Sequence, residues 1–226
     1  MTERREREEG GGGCCFDRWA DDYDRTFISP YLRKIQKQVV RLMAPTRGAS
    51  VIDVGCGTGE AIRYLRRSVK GGLLAGLDLS PRMIETARRK FGEAPGVEWR
   101  VGDAECIPWP DSTFDLAMAT FTIHHCLHPE QALAEIRRVL RPGGRFFLVE
   151  LIFPPLLRRP MNWILGLAER APLQIQTHRS TRSSLQRSGL RLCTCQRLAP
   201  FIFLFISQKE PSAVEAEGGG KGNSFT

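Results

Sequence analysis

The feature that most constrains this chain is an apolar run that stops at three alternating glycines, residues 51–59 with the sequence VIDVGCGTG. Val51, Ile52 and Val54 are typical of a strand that is covered on both faces. The glycines permit positive φ and leave the backbone open to a ligand. Apolar side chains follow at helical spacing, so a helix should begin at the loop and point its first amides into it. The pattern predicts a strand, a tight loop and a helix around a small-molecule site.

An acid downstream suggests what the small molecule is. A second apolar run, residues 73–79, contains Asp78, which lies 19 residues after Gly59. An acid about 20 residues past a glycine loop, at the carboxyl end of the second strand, is typical of sites that bind ribose hydroxyls. A dinucleotide site would require a third small residue at position 60, where the chain has Glu60. The site is therefore predicted to bind a nucleotide-like molecule other than NAD or FAD, and an NAD-dependent oxidoreductase is the weaker alternative.

Four short motifs in order give the chain a resemblance to the class I S-adenosylmethionine-dependent methyltransferases. They are residues 53–59, residues 76–80, residues 102–105 with Phe114-Asp115, and residues 140–144. Within that family, the chain is most similar to the set that includes the ubiquinone and menaquinone biosynthesis methyltransferases. The resemblance implies S-adenosyl-L-methionine as cofactor and in-line methyl transfer to a small-molecule acceptor, for which quinone-like and lipid-like molecules are candidates. A non-catalytic partner subunit that only binds the cofactor is the alternative.

The resemblance also implies roles for individual residues. Asp78 would bind the ribose, Asp103 and Ala104 would bind the adenine, and Asp53 would order the glycine loop. A turn aspartate that caps its own loop is the alternative interpretation of Asp103. The methionyl part of the cofactor would lie on the glycine loop and beside the backbone that ends the fourth strand. The full set of expected cofactor-binding residues is Asp53, Gly55, Gly57, Thr58, Gly59, Asp78, Leu79, Met83, Asp103, Ala104 and Thr120.

Two residues are candidates for catalytic contact with the acceptor. His125 lies in residues 122–128, after the expected fourth strand, and could orient or deprotonate an acceptor hydroxyl because an unperturbed imidazole titrates near neutrality. The three histidines and one cysteine of that stretch match neither a paired C-x-x-C nor an i, i+4 helical motif, so no metal site is expected. Tyr23 belongs to an aromatic segment that, in the resembling family, folds over the cofactor. Docking of a helix through the same aromatic residues is the equal alternative.

The order of apolar and amphipathic segments predicts an α/β fold. Strand and helix patterns alternate as far as residue 150, which indicates a parallel, right-handed sheet. Residues 190–198 and 201–207 are two further strand patterns with a short connection, which predicts an antiparallel hairpin. The resemblance implies the same architecture, a Rossmann-like seven-stranded methyltransferase sheet that is mostly parallel, with a C-terminal antiparallel hairpin and helices on both faces.

Length and composition agree with a single domain. The chain has 226 residues, of which 42% are hydrophobic, and the expected domain covers residues 14–209 between disordered tails at 1–13 and 210–226. No stretch reaches the roughly 18 apolar residues of a membrane span, and the charged start lacks the apolar core of a signal peptide. The expected location is the cytoplasm. Seven cysteines, an odd number, indicate reduced thiols rather than a disulfide framework.

The segment after the fifth strand, residues 151–178, is expected to be a lid or insertion. Its first part, residues 151–168, is apolar, and residues 158–197 hold eight arginines and one acid, Glu169. This region supplies +7 of the chain's net charge of +8. An apolar segment flanked by arginines could touch an anionic membrane surface or bind a hydrophobic substrate. A lid helix packed on its own domain is the alternative, and nucleic acid is not expected because no binding module is recognisable.

Overall fold

The computed structural model describes residue 17 and residues 29–92, 94–169 and 173–210. Tyr23 and nearly all of the two expected tails lie outside these residues, so the predictions for them stay predictions. The described elements, in chain order, are α1 (Ser29–Met43), β1 (Val51–Val54), α2 (Glu60–Ser68), β2 (Leu74–Asp78), α3 (Pro81–Phe91), β3 (Val97–Val101), β4 (Phe114–Thr120), a 3₁₀ turn (Ile123–His125), α4 (Pro129–Val139), β5 (Leu140–Leu151), α5 (Pro155–Glu169), α6 (His178–Arg187), β6 (Leu190–Ala199) and β7 (Ile202–Lys209).

The strands form one seven-stranded sheet in the order β3-β2-β1-β4-β5-β7-β6. β1 pairs in parallel with β2 and β4, and further parallel pairs join β2 to β3 and β4 to β5. β7 is antiparallel to both β5 and β6. The expected mostly parallel sheet with a C-terminal hairpin is therefore confirmed. Chain order reverses between β1 and β4, and such a switch point opens a crevice at the carboxyl ends of the strands.

Helices cover both faces of the sheet, and the residues of β1 show why the strand is so apolar. All of β1 is buried. Val51 packs with α1, α2 and α3 on one face, while Ile52 and Val54 pack with α4 and α6 on the other. Side chains alternate along a strand, so Asp53 points to the same face as Val51. The single acid of β1 thus lies inside the molecule, on the side of α1.

Capping explains where two helices begin. The Ser80 side chain accepts a hydrogen bond from Met83 N at 3.1 Å, and Pro81 follows at the first helical position of α3. α6 has a cap of its own. Thr177 and Ser180 exchange side-chain to backbone hydrogen bonds of 3.2 and 2.8 Å, a reciprocal cap that starts the helix at His178.

The segment after β5 folds back over the carboxyl end of the sheet. Ile152 pairs with Gln176 in an isolated parallel bridge, and Gln174 N donates to the carbonyl of His124 at 2.8 Å. Asn162 of α5 accepts a hydrogen bond from Ile175 N at 3.2 Å. α5 is thus tied to the turn that follows β4. Among the described residues, no helix combines the length and apolar character needed to cross a membrane.

Candidate functional site

The glycine loop after β1 has left-handed backbone at each of its glycines, with φ of 72° at Gly55, 51° at Gly57 and 82° at Gly59. A Cβ on Gly55 would overlap the side chain of Thr122, and one on Gly59 would lie 2.5 Å from the ring of Trp99. A Cβ on Gly57 would meet nothing within 4 Å among the described residues. Two of the glycines are therefore required by packing, while the middle one faces open space.

Asp78 holds this loop in place. Its Oδ2 accepts a hydrogen bond from Gly57 N at 2.7 Å, and its Oδ1 accepts from Ser80 N at 2.9 Å. The backbone amides of Gly55 and Cys56 donate to the carbonyl of the preceding residue, Leu77, at 2.8 and 3.0 Å. The acid predicted to bind ribose therefore also orders the glycine loop, a duty that the sequence assigned to Asp53.

Asp53 lies beneath the loop and is 1% exposed. Burial, and secondarily the nearby charge of Asp78, raise the pKa of Asp53 from 3.8 to about 7. Its Oδ2 has no hydrogen-bond partner within the described ranges. Burial and the same acids raise the pKa of the Cys56 thiol, which keeps that thiol protonated. The floor of the loop is therefore a buried carboxyl group that can change charge near neutral pH.

Asp103 and its neighbours form the turn at the carboxyl end of β3. Gly102 N donates to the carbonyl of Asp78 at 2.9 Å, which joins the ends of β2 and β3. Asp103 Oδ1 accepts from Glu105 N at 2.9 Å, so this residue does cap its own turn, and its contact with adenine stays a prediction. Leu79 is 48% exposed beside Asp78, whereas Met83 and Ala104 are buried. Leu79 offers an apolar surface at this end of the crevice.

A charged network that the sequence did not predict supports the loop from α2 and α3. Glu60 forms salt bridges of 2.8 Å with Lys90 and with Arg63, and Lys90 also donates to Thr58 Oγ1 at 3.1 Å. Position 60, where a dinucleotide fold would need a small residue, thus holds a largely buried acid. Lys90 is separated from Thr58 by 32 residues, and no local pattern relates the two positions.

The chain turns sharply after β4. Phe121 has a φ of 55°, a left-handed conformation that is costly for a bulky side chain. Thr122 Oγ1 then lies 3.2 Å from the carbonyl of Val54 and 3.3 Å from that of Thr120, back across the start of the glycine loop. This turn places Thr120 and Phe121 in the wall of a cleft that opens beside the loop.

A buried acid and histidine pair holds the 3₁₀ turn that follows. His124 and Glu150, the acid near the end of β5, are 4% and 6% exposed and pair directly through His124 Nδ1 and Glu150 Oε2. Glu150 Oε1 also accepts from Ile123 N at 3.0 Å. Sequence reasoning missed this pair. The available signal was an acid that follows the apolar run FFLV in β5.

His125, the candidate for contact with the acceptor, lies against His124 with ring centroids 4.2 Å apart. Burial and the charge of His124 lower the pKa of His125 from 6.5 to about 3, so the imidazole is neutral at physiological pH. His128 turns away and its Nδ1 lies 2.9 Å from Glu105 Oε2. A neutral imidazole can accept or donate a hydrogen bond, but with this pKa it is a weak base.

Comparison with known proteins identifies the family. A family profile described as a methyltransferase domain matches residues 52–148. A demethylmenaquinone methyltransferase from Clavibacter sepedonicus is 32% identical over 183 residues, which are 80% of this chain and 74% of that protein. This chain belongs to the S-adenosylmethionine-dependent methyltransferase family.

Two further relatives extend the match. A demethylmenaquinone methyltransferase of Tropheryma whipplei is 31% identical over 158 residues, which are 66% of this chain and 65% of that protein. The chain thus spans just under two thirds of that relative's length. A methyltransferase of Haloferax volcanii, solved in complex with the Trm112 methyltransferase activator, has a TM-score of 0.75 at 23% identity over 87% of this chain and 98% of that one. The fold of this family is therefore present nearly throughout the described residues.

Proposed function

We propose that this chain binds S-adenosyl-L-methionine across the carboxyl ends of β3, β2, β1 and β4 and transfers its methyl group to a hydrophobic small molecule. The observation that carries the proposal is the glycine loop, in which Gly57 faces open space while Asp78 accepts from its amide at 2.7 Å. A loop held in this way presents bare backbone to a ligand without having to reorganise when the ligand binds.

The residues fit this cofactor. Each oxygen of Asp78 accepts one backbone hydrogen bond, and a carboxylate oxygen can accept a second one, so both keep capacity for ribose hydroxyls. Asp53, whose pKa is raised to about 7 and whose Oδ2 has no hydrogen-bond partner among the described residues, can ionise below the loop, and a cationic ligand there would favour its charged form. Leu79 offers an exposed apolar side chain for the face of a base.

Each part of the site has a separate task in this proposal. Asp103 and Ala104 bind the adenine, Asp78 binds the ribose, and the loop from Gly55 to Gly59 binds the methionyl part together with Thr120. When bound, the cofactor supplies a methyl group on a sulfonium, already activated toward displacement. The protein therefore has to place an acceptor in line and exclude water, and no covalent enzyme nucleophile is needed.

His125 is proposed to orient the acceptor. Because its pKa is lowered to about 3, the neutral ring acts through a hydrogen bond to an acceptor hydroxyl rather than as a strong base. An acceptor that ionises easily, such as a phenol, would suit such a site better than an alcohol. Tyr23 remains a predicted lid residue that would close over the same region.

A hydrophobic acceptor is supported by α5. Leu156, Trp163 and Leu167 are 88%, 71% and 69% exposed, and their spacing of seven and four residues puts them on one side of the helix. This outward apolar face is unusual for a helix packed on its own domain. Through Asn162 and Ile175, α5 is hydrogen-bonded to the segment that also holds the His124 turn.

The same face supports contact with an anionic membrane surface. Arg158 and Arg159 lie in the first turns of α5, beside the exposed apolar side chains. Apolar burial combined with cations near phosphate headgroups is how amphipathic helices bind such surfaces. Residues 151–168 would then admit a lipid-like or quinone-like acceptor from the bilayer toward the turn after β4.

Methyl transfer is tested with the purified chain, labelled S-adenosylmethionine, and an extract of quinone precursors and lipids. Label in an organic-soluble product supports the function. Calorimetric titration with S-adenosylhomocysteine and NADH is run in parallel. Binding of the first alone supports the cofactor assignment, whereas NADH binding or cofactor binding without any methylated product contradicts the proposal.

Membrane contact is tested by flotation with anionic and neutral liposomes. We expect flotation with anionic vesicles at low salt, lost in the double variant Trp163→Ser, Leu167→Ser. The matched control is Leu42→Ser, which changes an apolar side chain on α1 that is 39% exposed. Absence of flotation for the unmodified chain, or equal flotation for the double variant, rules out this contact.

A further inference from the structure

The tip of the hairpin between β6 and β7 combines strained backbone with exposed apolar surface. Phe201 has a φ of 59°, the left-handed conformation that a bulky side chain rarely adopts, and the residue is 44% exposed. Glycine or asparagine at this position would avoid much of the strain and would leave less apolar surface in water. The strain and the exposure together favour a role for this ring outside the folding of the domain itself.

Contacts with the end of β5 hold the ring in this exposed position. Phe201 stacks on Phe153, with ring centroids 4.9 Å apart and an angle of 29° between the planes. Ile152 N donates to the carbonyl of Phe201 at 2.8 Å, and the next residue, Ile202, pairs with Leu151 in the sheet. Phe153 itself is buried. One ring of the stack is therefore inside the domain, and the other is partly in solvent at the same corner of the sheet.

The hairpin tip adjoins the exposed apolar side of α5. Leu156 and Leu157, in the first turn of α5, are 88% and 44% exposed and follow Phe153 by three and four residues. Three residues of chain span at most roughly 11 Å, so α5 begins beside the stacked rings. Phe201 and the first turn of α5 therefore lie at one corner of the domain, although they are far apart in sequence.

The charges carried by the elements at this corner are almost all positive. Arg197 of β6 precedes the tip by four residues, and Arg158 and Arg159 lie in α5. Residues 151–209 contain one acid, Glu169, at the far end of α5. Within the part of the chain that the structure describes, the side chains of Arg159 and Arg197 make no hydrogen bond or ion pair. Their charges are therefore available to a partner outside the domain.

An anionic lipid surface complements this corner. Aromatic rings are favoured at the level of the lipid headgroups, and arginines near an anionic membrane are attracted to its phosphates. We propose that the hairpin tip at Phe201 is a second membrane contact, which together with α5 docks the corner of β5, β6 and β7 on an anionic lipid surface.

This inference rests on the membrane contact proposed for α5 and deepens it. A single helix on a bilayer leaves the domain free to rotate about the helix axis, whereas a helix and a hairpin tip together fix the orientation of the domain. Ile202 beside the tip pairs with Leu151 at the carboxyl end of β5. The carboxyl ends of the strands, where the cofactor and the acceptor would bind, are therefore held near the lipid.

The experiment measures binding of the full chain to phosphatidylglycerol vesicles and to phosphatidylcholine vesicles. Phe201→Gly removes the ring and relieves the strain, so we expect an unfolding temperature close to that of the unmodified chain and about 5- to 20-fold weaker binding to the anionic vesicles. Arg197→Gln should weaken binding to the anionic vesicles alone. The control is Leu42→Ser, which should bind as the unmodified chain does. Leu42 is 39% exposed and lies at the opposite end of the strands, where Arg145 donates to the carbonyl of Met43 at 3.0 Å.

A second variant keeps an aromatic ring at the tip. Phe201→Trp should bind the anionic vesicles at least as tightly as the unmodified chain does. Brominated lipids quench an indole that enters the bilayer, so this variant should lose more fluorescence on binding than the unmodified chain with its native tryptophans. Equal quenching of the two proteins would mean that the tip stays outside the bilayer, and would overturn the inference.

The outcomes separate the two proposals. If the unmodified chain binds no vesicles, the membrane contact of α5 fails and takes this inference with it. If Trp163→Ser, Leu167→Ser abolishes vesicle binding but Phe201→Gly leaves it unchanged, the α5 contact stands and only the inference fails. Self-association of the unmodified chain that is lost in Phe201→Gly, with vesicle binding unchanged, also overturns the inference, because the tip would then join two copies of the chain.

Discussion

The two halves of the crevice are built in different ways. In the half formed by β1, β2 and β3, backbone amides donate to acids at the ends of the strands, as when Gly57 N donates to Asp78 and Glu105 N to Asp103. In the half formed by β4, β5 and α5, contacts join residues far apart in sequence, as when Glu150 pairs with His124. In the first half, strand-end acids and carbonyls hold the loop amides, whereas in the second half a buried side-chain pair holds the turn after β4.

This difference predicts which property a substitution in each half should alter. A cofactor shared by a whole family can be held by amides that any sequence provides, whereas an acceptor that varies among members has to be selected by side chains. Substitutions of first-half groups that face the crevice should therefore alter cofactor binding, substitutions of second-half groups that face it should alter acceptor use, and substitutions of buried groups in either half should alter stability. The variants below test this division in order of decreasing effect.

Glu150→Ala should have the largest effect. It leaves His124 and the amide of Ile123 buried without their acceptor, and removing one member of a buried charged pair costs about 3 to 5 kcal/mol of unfolding free energy. Urea denaturation measures the loss. The control is Glu130→Ala, whose salt bridge to Arg187 is 57% exposed on both sides and should contribute less than about 1 kcal/mol. Similar losses in the two variants would show that the turn is not held by the buried pair.

Asp53 should make stability fall as pH rises. Its folded pKa of about 7 exceeds its ordinary value of 3.8, so between these values the folded state binds more protons than the unfolded state. The stabilisation is complete below pH 3.8 and is lost as pH rises toward 7, by about 1.4 kcal/mol per pH unit and about 4 kcal/mol in all. Comparing unfolding free energies of the unmodified chain and Asp53→Asn across pH isolates this slope. A pH-independent difference would mean that folding does not raise the pKa of Asp53.

Two glycine variants should separate packing from binding. Gly59→Ala places a Cβ 2.5 Å from Trp99 on strained backbone and should cost about 3 kcal/mol of unfolding free energy. Gly57→Ala adds only the strain, about 1 kcal/mol, but its Cβ enters the open space where the cofactor would lie. Thermal unfolding and calorimetry together measure both effects. Unchanged cofactor affinity in Gly57→Ala would contradict the position proposed for the cofactor.

Asp78→Ala should weaken S-adenosylhomocysteine binding by about 1 to 3 kcal/mol, because both the ribose acceptor and the support of Gly57 are lost. The matched control is Asp115→Ala. Asp115 also accepts a backbone hydrogen bond, from Ser50 N at 2.8 Å, but near the start of β4, at the end of the strands away from the crevice. We expect that variant to lose stability and keep its affinity. If the two variants bind S-adenosylhomocysteine with equal affinity, Asp78 does not contribute to binding the cofactor.

Local patterns were sufficient to predict the first half of the crevice. The glycine loop and Asp78 are each specified within a few residues, so the order of strand, loop and helix could be predicted from them, while the seven-stranded sheet was implied by the family resemblance. The pairing of Glu150 with His124 spans 26 residues, and that of Lys90 with Thr58 spans 32. Such contacts depend on how helices and strands stack, which residue spacing alone does not encode.

The conformation of the glycine loop depends on Trp99, a residue of β3 outside the loop, and this matters for protein engineering. Its ring fills the space above both Gly59 in the loop and Gly76 in β2, where an added Cβ would lie 2.5 Å away in either case. The loop therefore cannot be transplanted as a contiguous peptide. A graft onto another sheet would also need the indole of Trp99 from β3 and the glycine at position 76 of β2. Libraries that vary Gly59, Gly76 and Trp99 independently would consist mostly of misfolded members.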